Sequence, residues 1–279
     1  MSDQIAVIKR GPYTRSHFHR EHDWSTEHFA SEYLTNTFQA SFSPESLAGC
    51  PVMGKKLSKE GCDSEGINPL NNMPIALSSE KLPGQKIELP TQKTMSTIPK
   101  GTDGKEGVWE YPSPQQMFNA MIRKGKGNVP EDAVESMVSI HNFLNEGAWG
   151  EILEWEDRHT KASKVEPRLE RFTGIPDKMS PRAKIFTTLG KYFPNRFSAT
   201  PPFDRHDWTV MRGDGKGGWR KVRYVIDYYA GPDDESTGMP TFVLDVRPAL
   251  DNPTNALDRV NHWWTYQGKP IWDKAMGRK

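Results

Sequence analysis

The sequence predicts an α+β fold: a helical core with a long central amphipathic helix, a small antiparallel sheet, and extended or disordered N-terminal segments before them. Three observations carry this expectation. Ala133 to Glu156 repeats apolar residues at helical spacing. KVRYVIDYY (221–229) and MPTFVLDVRPAL (239–250) alternate in the manner of half-buried strands. The helical and strand patterns are also segregated along the chain rather than alternating, which argues against a parallel α/β sheet.

Residues 1–48 are polar, show no sustained period, and read as a flexible extension. HFHREHDW places His17, His19 and His22 close together. No Cys or acidic framework at structural-site spacing accompanies them, so a flexible tail is preferred to a metal site. Residues 49–100 are loop-rich. Cys50 precedes Pro51, the dipeptide of heme-regulatory motifs and a weak signal on its own. GINPLNNMP (66–74) carries Asn-Pro and Met-Pro steps that disfavour helix and predict a fixed, turning path.

The folded core is expected over 101–268, with a tail at 269–279. Ser113 can cap a short helix with Pro114 at its first position, and Met117, Phe118 and Met121 form its apolar face. Pro130, Glu131 and Asp132 supply start chemistry for the central helix. Within that helix Val134, Met137, His141, Asn145, Ala148, Ile152 and Trp155 share one face. A polar pair inside an apolar stripe must find partners, because an unpaired buried polar group costs about 1–3 kcal/mol. Two readings of His141 stand: a core histidine bonded to the backbone, or an imidazole offered to a metal. The helix alone favours the first.

Residues 157–180 read as charged and turn-rich, and SPRAKIFTTLGKYF (180–193) as a second helix. PPFDRHDWTVMR (201–212) gathers Asp204, Arg205, His206, Asp207 and Trp208, followed by a strand from Thr209. Aspartates beside a histidine can fix its tautomer, and a salt-bridged corner explains the same residues. GDGKGG (213–218) lacks Walker spacing and reads as a turn. Asn252 to Trp264 reads as a final helix.

Composition limits the function. The 279 residues carry a net charge of +1, so there is no global electrostatic case for nucleic acid. No apolar run approaches membrane-spanning length. Two cysteines in a polar region give no disulfide framework. The acidic N-terminus resembles neither a secretory signal nor a cleavable presequence. GxSxG, HExxH and paired CxxC motifs are all missing from the sequence.

WEYPSPQQMFNAMIRKGKG, HNFLNEGAWGEILEWE, and PFDRHDW followed by VRYVIDYY and DVRPALD together resemble the holocytochrome c synthases, the mitochondrial cytochrome c heme lyases. CPVM and INPLNNMP resemble the fungal members, and the likeness spans roughly residues 49–262. Cys62 is followed by Asp63, so a second Cys-Pro step is missing.

The resemblance implies a lyase that binds heme b and the CxxCH segment of apocytochrome c. It joins the two cysteine thiols to the heme vinyl groups as thioethers. It also implies that His141 is the enzyme's axial ligand to the iron and the principal catalytic residue. Asn145, Glu146, His206, Trp208, Arg205 and Arg212 are expected to support the heme pocket, the arginines by pairing with propionates. The implied location is the mitochondrial intermembrane space, peripheral on the inner membrane. Cytochrome c1 is the alternative substrate, and a heme chaperone or sensor without covalent chemistry is the alternative function.

Overall fold

The computed structural model describes residues 7–10, 78–101, 107–123, 129–175, 178–195, 197–235 and 237–276. Cys50, the histidine cluster and GINPLNNMP lie outside them. The strands are β1 (Val7–Arg10), β2 (Thr94–Pro99), β3 (Val108–Tyr111), β4 (Arg168–Gly174), β5 (Asp204–Gly213), β6 (Trp219–Ala230) and β7 (Thr241–Pro248). The α-helices are α1 (Pro114–Arg123), α2 (Val134–Ser163), α3 (Pro181–Tyr192), α4 (Pro253–Trp263) and α5 (Lys269–Ala275). A five-residue π-helical turn, Trp264–Gly268, joins the last two.

The helix starts follow local chemistry. Ser113 and Gln116 form a reciprocal capping box: the Gln116 amide donates to Ser113 Oγ at 3.2 Å, and the Ser113 amide donates to Gln116 Oε1 at 3.3 Å. Ser180 Oγ accepts from the Ala183 amide, and Asn252 Oδ1 from the Asn255 amide. Each of these two caps is followed by proline at the first helical position.

The sheet is larger than the sequence suggests. Its order is β1-β7-β6-β5-β4, antiparallel throughout except for the parallel pairing of β1 with β7. β4 falls in the stretch read as turn-rich. Its Arg168, Glu170 and Arg171 interrupt the apolar residues, so composition concealed a strand whose Leu169 and Phe172 are buried. β5 begins at Asp204, five residues before the expected start. Strand pairing there overrides the charged composition. A second, two-stranded sheet joins β2 and β3.

GDGKGG is a turn, as expected. Asp214 Oδ1 accepts the amides of Lys216 at 2.7 Å and Gly218 at 2.8 Å, and Gly215 and Gly217 take positive φ. These amide donors hold the Asp214 carboxyl below the ordinary carboxylate range.

Helix α2 crosses the inner face of the large sheet and also meets α1 and β2. Ile152, Val210, Tyr224 and Ile226 meet in the core, all almost fully buried. The register sets Asp204 opposite Tyr228, His206 opposite Ile226, and Trp208 opposite Tyr224, so these residues share the inner face. On the outer face, Asp227 accepts from Ser180 Oγ at 2.5 Å and from Arg247 at 2.6 Å. This fastens α3 to the back of the sheet.

Candidate functional site

Helix α2 and strand β5 bring the two sequence-selected histidines into one buried neighbourhood. His141 lies two turns into α2. The Asn145 side-chain amide sits 3.1 Å from His141 Nε2 and 3.3 Å from Nδ1, while Asn142 Oδ1 lies 3.4 Å from Nδ1. These partners fit the tautomer with Nδ1–H donating to Asn142. Nε2 then carries an in-plane lone pair, while the Asn145 amide, close to both ring nitrogens at once, lies over the face of the ring. Burial pushes the His141 imidazole down to about 4, and the proximity of His206 disfavours its charge further. His141 is therefore neutral at physiological pH, the form in which imidazole nitrogen binds a metal.

His206 lies on the inner face of β5. Its Nε2 is 3.0 Å from Asp204 Oδ2 and its Nδ1 is 3.2 Å from the Tyr228 hydroxyl. The Tyr228 ring also lies edge-on at 4.8 Å between centroids. Asp204 thus orients His206 from one side and Tyr228 from the other, while His206 lies near enough to His141 to disfavour its charge. Asp204 is legible in the sequence as a neighbour of this histidine, whereas Tyr228 is not. The signal was available in the alternation of β6, but only the β5–β6 register sets that tyrosine beside the histidine.

Glu146, one turn beyond His141 and next to Asn145, acts as a clamp. Its carboxylate accepts from Ser96 Oγ (2.8 Å), the Thr97 amide (3.2 Å), Thr97 Oγ1 (2.5 Å) and the Tyr111 hydroxyl (2.8 Å). The β2–β3 pair is thereby held against α2, with Tyr111 edge-on to His141 at 6.3 Å. Burial, reinforced by the Glu146 charge, raises the Tyr111 phenol well above its ordinary range. Nothing in the sequence around Ser96, Thr97 and Tyr111 shows their pairing with α2.

The expected arginines are placed elsewhere. Arg212 donates through Nε and Nη2 to Glu156 at 2.7 and 2.8 Å, and through Nη1 to Asp258 at 3.0 Å. Tyr224 donates to the same glutamate at 2.5 Å. The acids hold Arg212 ionised and raise its pKa, against the opposing effect of burial. This cluster sits at Glu156, about 22 Å along α2 from His141 at 1.5 Å per residue. Arg212 therefore braces the far end of the helix. Arg205 points to the opposite face of β5 from His206 and pairs with Asp207 at 2.9 Å. Trp208 does share the His206 face. It is almost fully buried, and its indole N–H has no acceptor among the described residues.

No group of three or more His, Cys, Asp or Glu side chains among the described residues is arranged to enclose a metal ion. A single neutral histidine on a rigid helix is instead suited to one axial position of a metal already held by a macrocycle.

Comparison with known proteins adds a family. The Saccharomyces cerevisiae protein named holocytochrome-c synthase is 54% identical over 236 residues, covering 78% of this chain and 87% of its own length. The Bos taurus holocytochrome c-type synthase is 38% identical over 222 residues, covering 78% of this chain and 73% of its own. The Homo sapiens holocytochrome c-type synthase is 37% identical, also over 222 residues, covering 78% and 75%. No solved structure matches. The sequence also matches the cytochrome c/c1 heme lyase family over residues 17–263, which includes every described element of the site, and the chain belongs to that family.

Proposed function

We propose that the chain is a holocytochrome c synthase that binds heme b through His141 and attaches it to apocytochrome c. The observation that carries this reading is the buried, neutral His141, whose hydrogen-bond partners among the described residues are the neutral side chains of Asn142 and Asn145. A neutral imidazole can bind iron through its lone pair with no proton removed first. Asn145 and Asn142 orient the ring, and Glu146 steadies the helix turn beside it. The resemblance to the Saccharomyces cerevisiae protein favours cytochrome c over cytochrome c1 as the substrate.

In each of the two additions, a cysteine S–H adds across one vinyl C=C. A carbon–sulfur bond forms at one carbon and the proton ends on the other, so no oxidant or reductant is consumed. The protein's contribution is orientation: two reactants held together gain up to roughly 7–11 kcal/mol in ideal cases. His141 fixes the iron and hence the plane of the porphyrin. His206, braced by Asp204 and Tyr228, supports that pocket. The unmatched Trp208 N–H would favour an acceptor brought by a bound group. Cys50 remains a weak candidate for a heme-regulatory contact.

We infer that the reaction takes place in the mitochondrial intermembrane space, on a chain peripherally attached to the inner membrane, a reading that the family membership supports. No helix among the described residues is long and apolar enough to cross a bilayer.

The test is co-expression with apocytochrome c in a host lacking its own maturation system. Wild type is expected to leave heme covalently bound to the denatured cytochrome, and His141→Ala to lose both product and low-spin bound heme. Full product from the variant would overturn the role of His141. Heme-loaded wild type that yields no product on cytochrome c or c1 would make the chain a heme carrier.

A further inference from the structure

The C-terminal helices present the reverse of an ordinary surface helix. On α4 the residues turned inward are polar. Asn255, 1% exposed, donates to the Ala249 carbonyl at 2.8 Å. Asp258, 5% exposed, pairs with Arg212 and lies 2.9 Å from His159 Nε2. His262 stacks on Trp155 with ring centroids 3.8 Å apart. These three positions follow helical spacing and share one face. Leu257, Val260 and Trp264 fall on the opposite side, and Leu257 and Val260 are each 61% exposed.

The apolar surface continues past the π-helical turn into α5, where Ile271 is 67% and Trp272 51% exposed. The Trp263 and Trp264 rings crowd Gly268, where a Cβ would lie 2.6 Å from the Trp264 ring and 3.0 Å from that of Trp263. Both indoles therefore lie across the turn at the surface.

Scattered exposed leucines need no explanation, but a continuous apolar surface does. The composition indicates what covers it. Three tryptophans stand among five basic residues and two acidic ones over residues 253–279; Asp258 is already bound inside and the half-buried Arg259 donates to the Pro248 carbonyl, which leaves four basic residues and one acid. Tryptophan with Lys and Arg suits the headgroup layer of an anionic bilayer. A two-fold contact with a second copy would instead set the basic segment against itself. The surface lies at the Arg212 end of α2, away from His141, so covering it leaves the histidine neighbourhood open.

We propose that α4, the π-helical turn and α5 form a docking surface for an anionic phospholipid bilayer. This locates on the fold the membrane contact proposed above and rests on that reading.

The test is flotation of the purified full-length chain with vesicles of phosphatidylcholine, alone or mixed with phosphatidylglycerol. Wild type is expected to float with the anionic vesicles, and less so as salt rises. Val260→Ser with Ile271→Ser is expected to weaken binding by at least roughly tenfold, from the lost apolar burial. Ile185→Ser, at a similarly exposed position on α3, is expected to bind as wild type does. Circular dichroism checks that each variant is folded.

Equal flotation of wild type and the double variant would overturn the proposal, as would wild type that binds neither vesicle. A dimer in light scattering that the double variant dissolves, without flotation, would assign the surface to a second copy. Thioether formation on apocytochrome c is read separately and needs no vesicle. Failed flotation with intact heme attachment therefore rejects this surface and leaves the enzyme reading standing.

Discussion

Replacing His141 with alanine should change how the stability of the heme-free protein responds to pH. In the unfolded chain His141 takes up a proton near its ordinary value of 6.5, and in the folded chain only near 4. Between these values the unfolded state binds more protons. Stability is therefore full above about pH 6.5, falls as the pH drops toward 4, and levels off below. From pH 7 to pH 5 this residue alone should remove about 2 kcal/mol. Alanine removes that dependence. At pH 7 it also leaves Asn145 without its partner, at a cost of about 1–3 kcal/mol.

The assay is urea unfolding followed by tryptophan fluorescence at both pH values, for wild type and variant. The gap between the two proteins should narrow or close at pH 5. Parallel losses of stability would mean that His141 is not held neutral by burial, and the argument for its readiness to bind iron would fall with it.

Three further predictions follow from the packing. Glu146→Ala should release the β2–β3 pair, costing about 2–4 kcal/mol as its donors lose a charged acceptor; hydrogen exchange over residues 94–111 should rise, and unchanged exchange would refute the clamp. Arg212→Ala should cost about 3–5 kcal/mol in thermal or urea denaturation, because Glu156 is left buried without its cation, while Asp258 keeps His159. Arg212→Met combined with Glu156→Leu should recover much of that loss, and no recovery would argue against an uncompensated charge as the cause. Gly190→Ala should destabilise, because its Cβ would meet the Ser198 and Ala199 backbone at 2.5 Å, whereas Gly150→Ala meets nothing within 4 Å among the described residues and should stabilise by about 0.5–1 kcal/mol. Melting temperatures of the same sign for both would contradict this.

Legible in the residues alone were the α+β class, the central helix with its buried His141–Asn145 pair, the helices at 180–193 and 252–264, and the two alternating strands, whereas 269–279 reads as a tail and Lys269–Ala275 forms α5. These features rest on periodicity and capping, which neighbouring residues impose locally. Family membership was also legible, because three separate stretches carry it. Tertiary structure decided the rest. β4 is a strand because β5 offers a partner, not because its charged sequence prefers one. Glu146 became a clamp only when distant Ser96, Thr97 and Tyr111 folded over it. Arg212 was drawn from the expected pocket to Glu156, because a buried guanidinium goes to the nearest buried carboxylates. Tyr228 reached His206 through strand register. In each case the partners lie 22 to 56 residues apart in sequence, so no local pattern encodes which groups meet. Burial forces every polar group to find a partner, and the fold determines which partners are within reach.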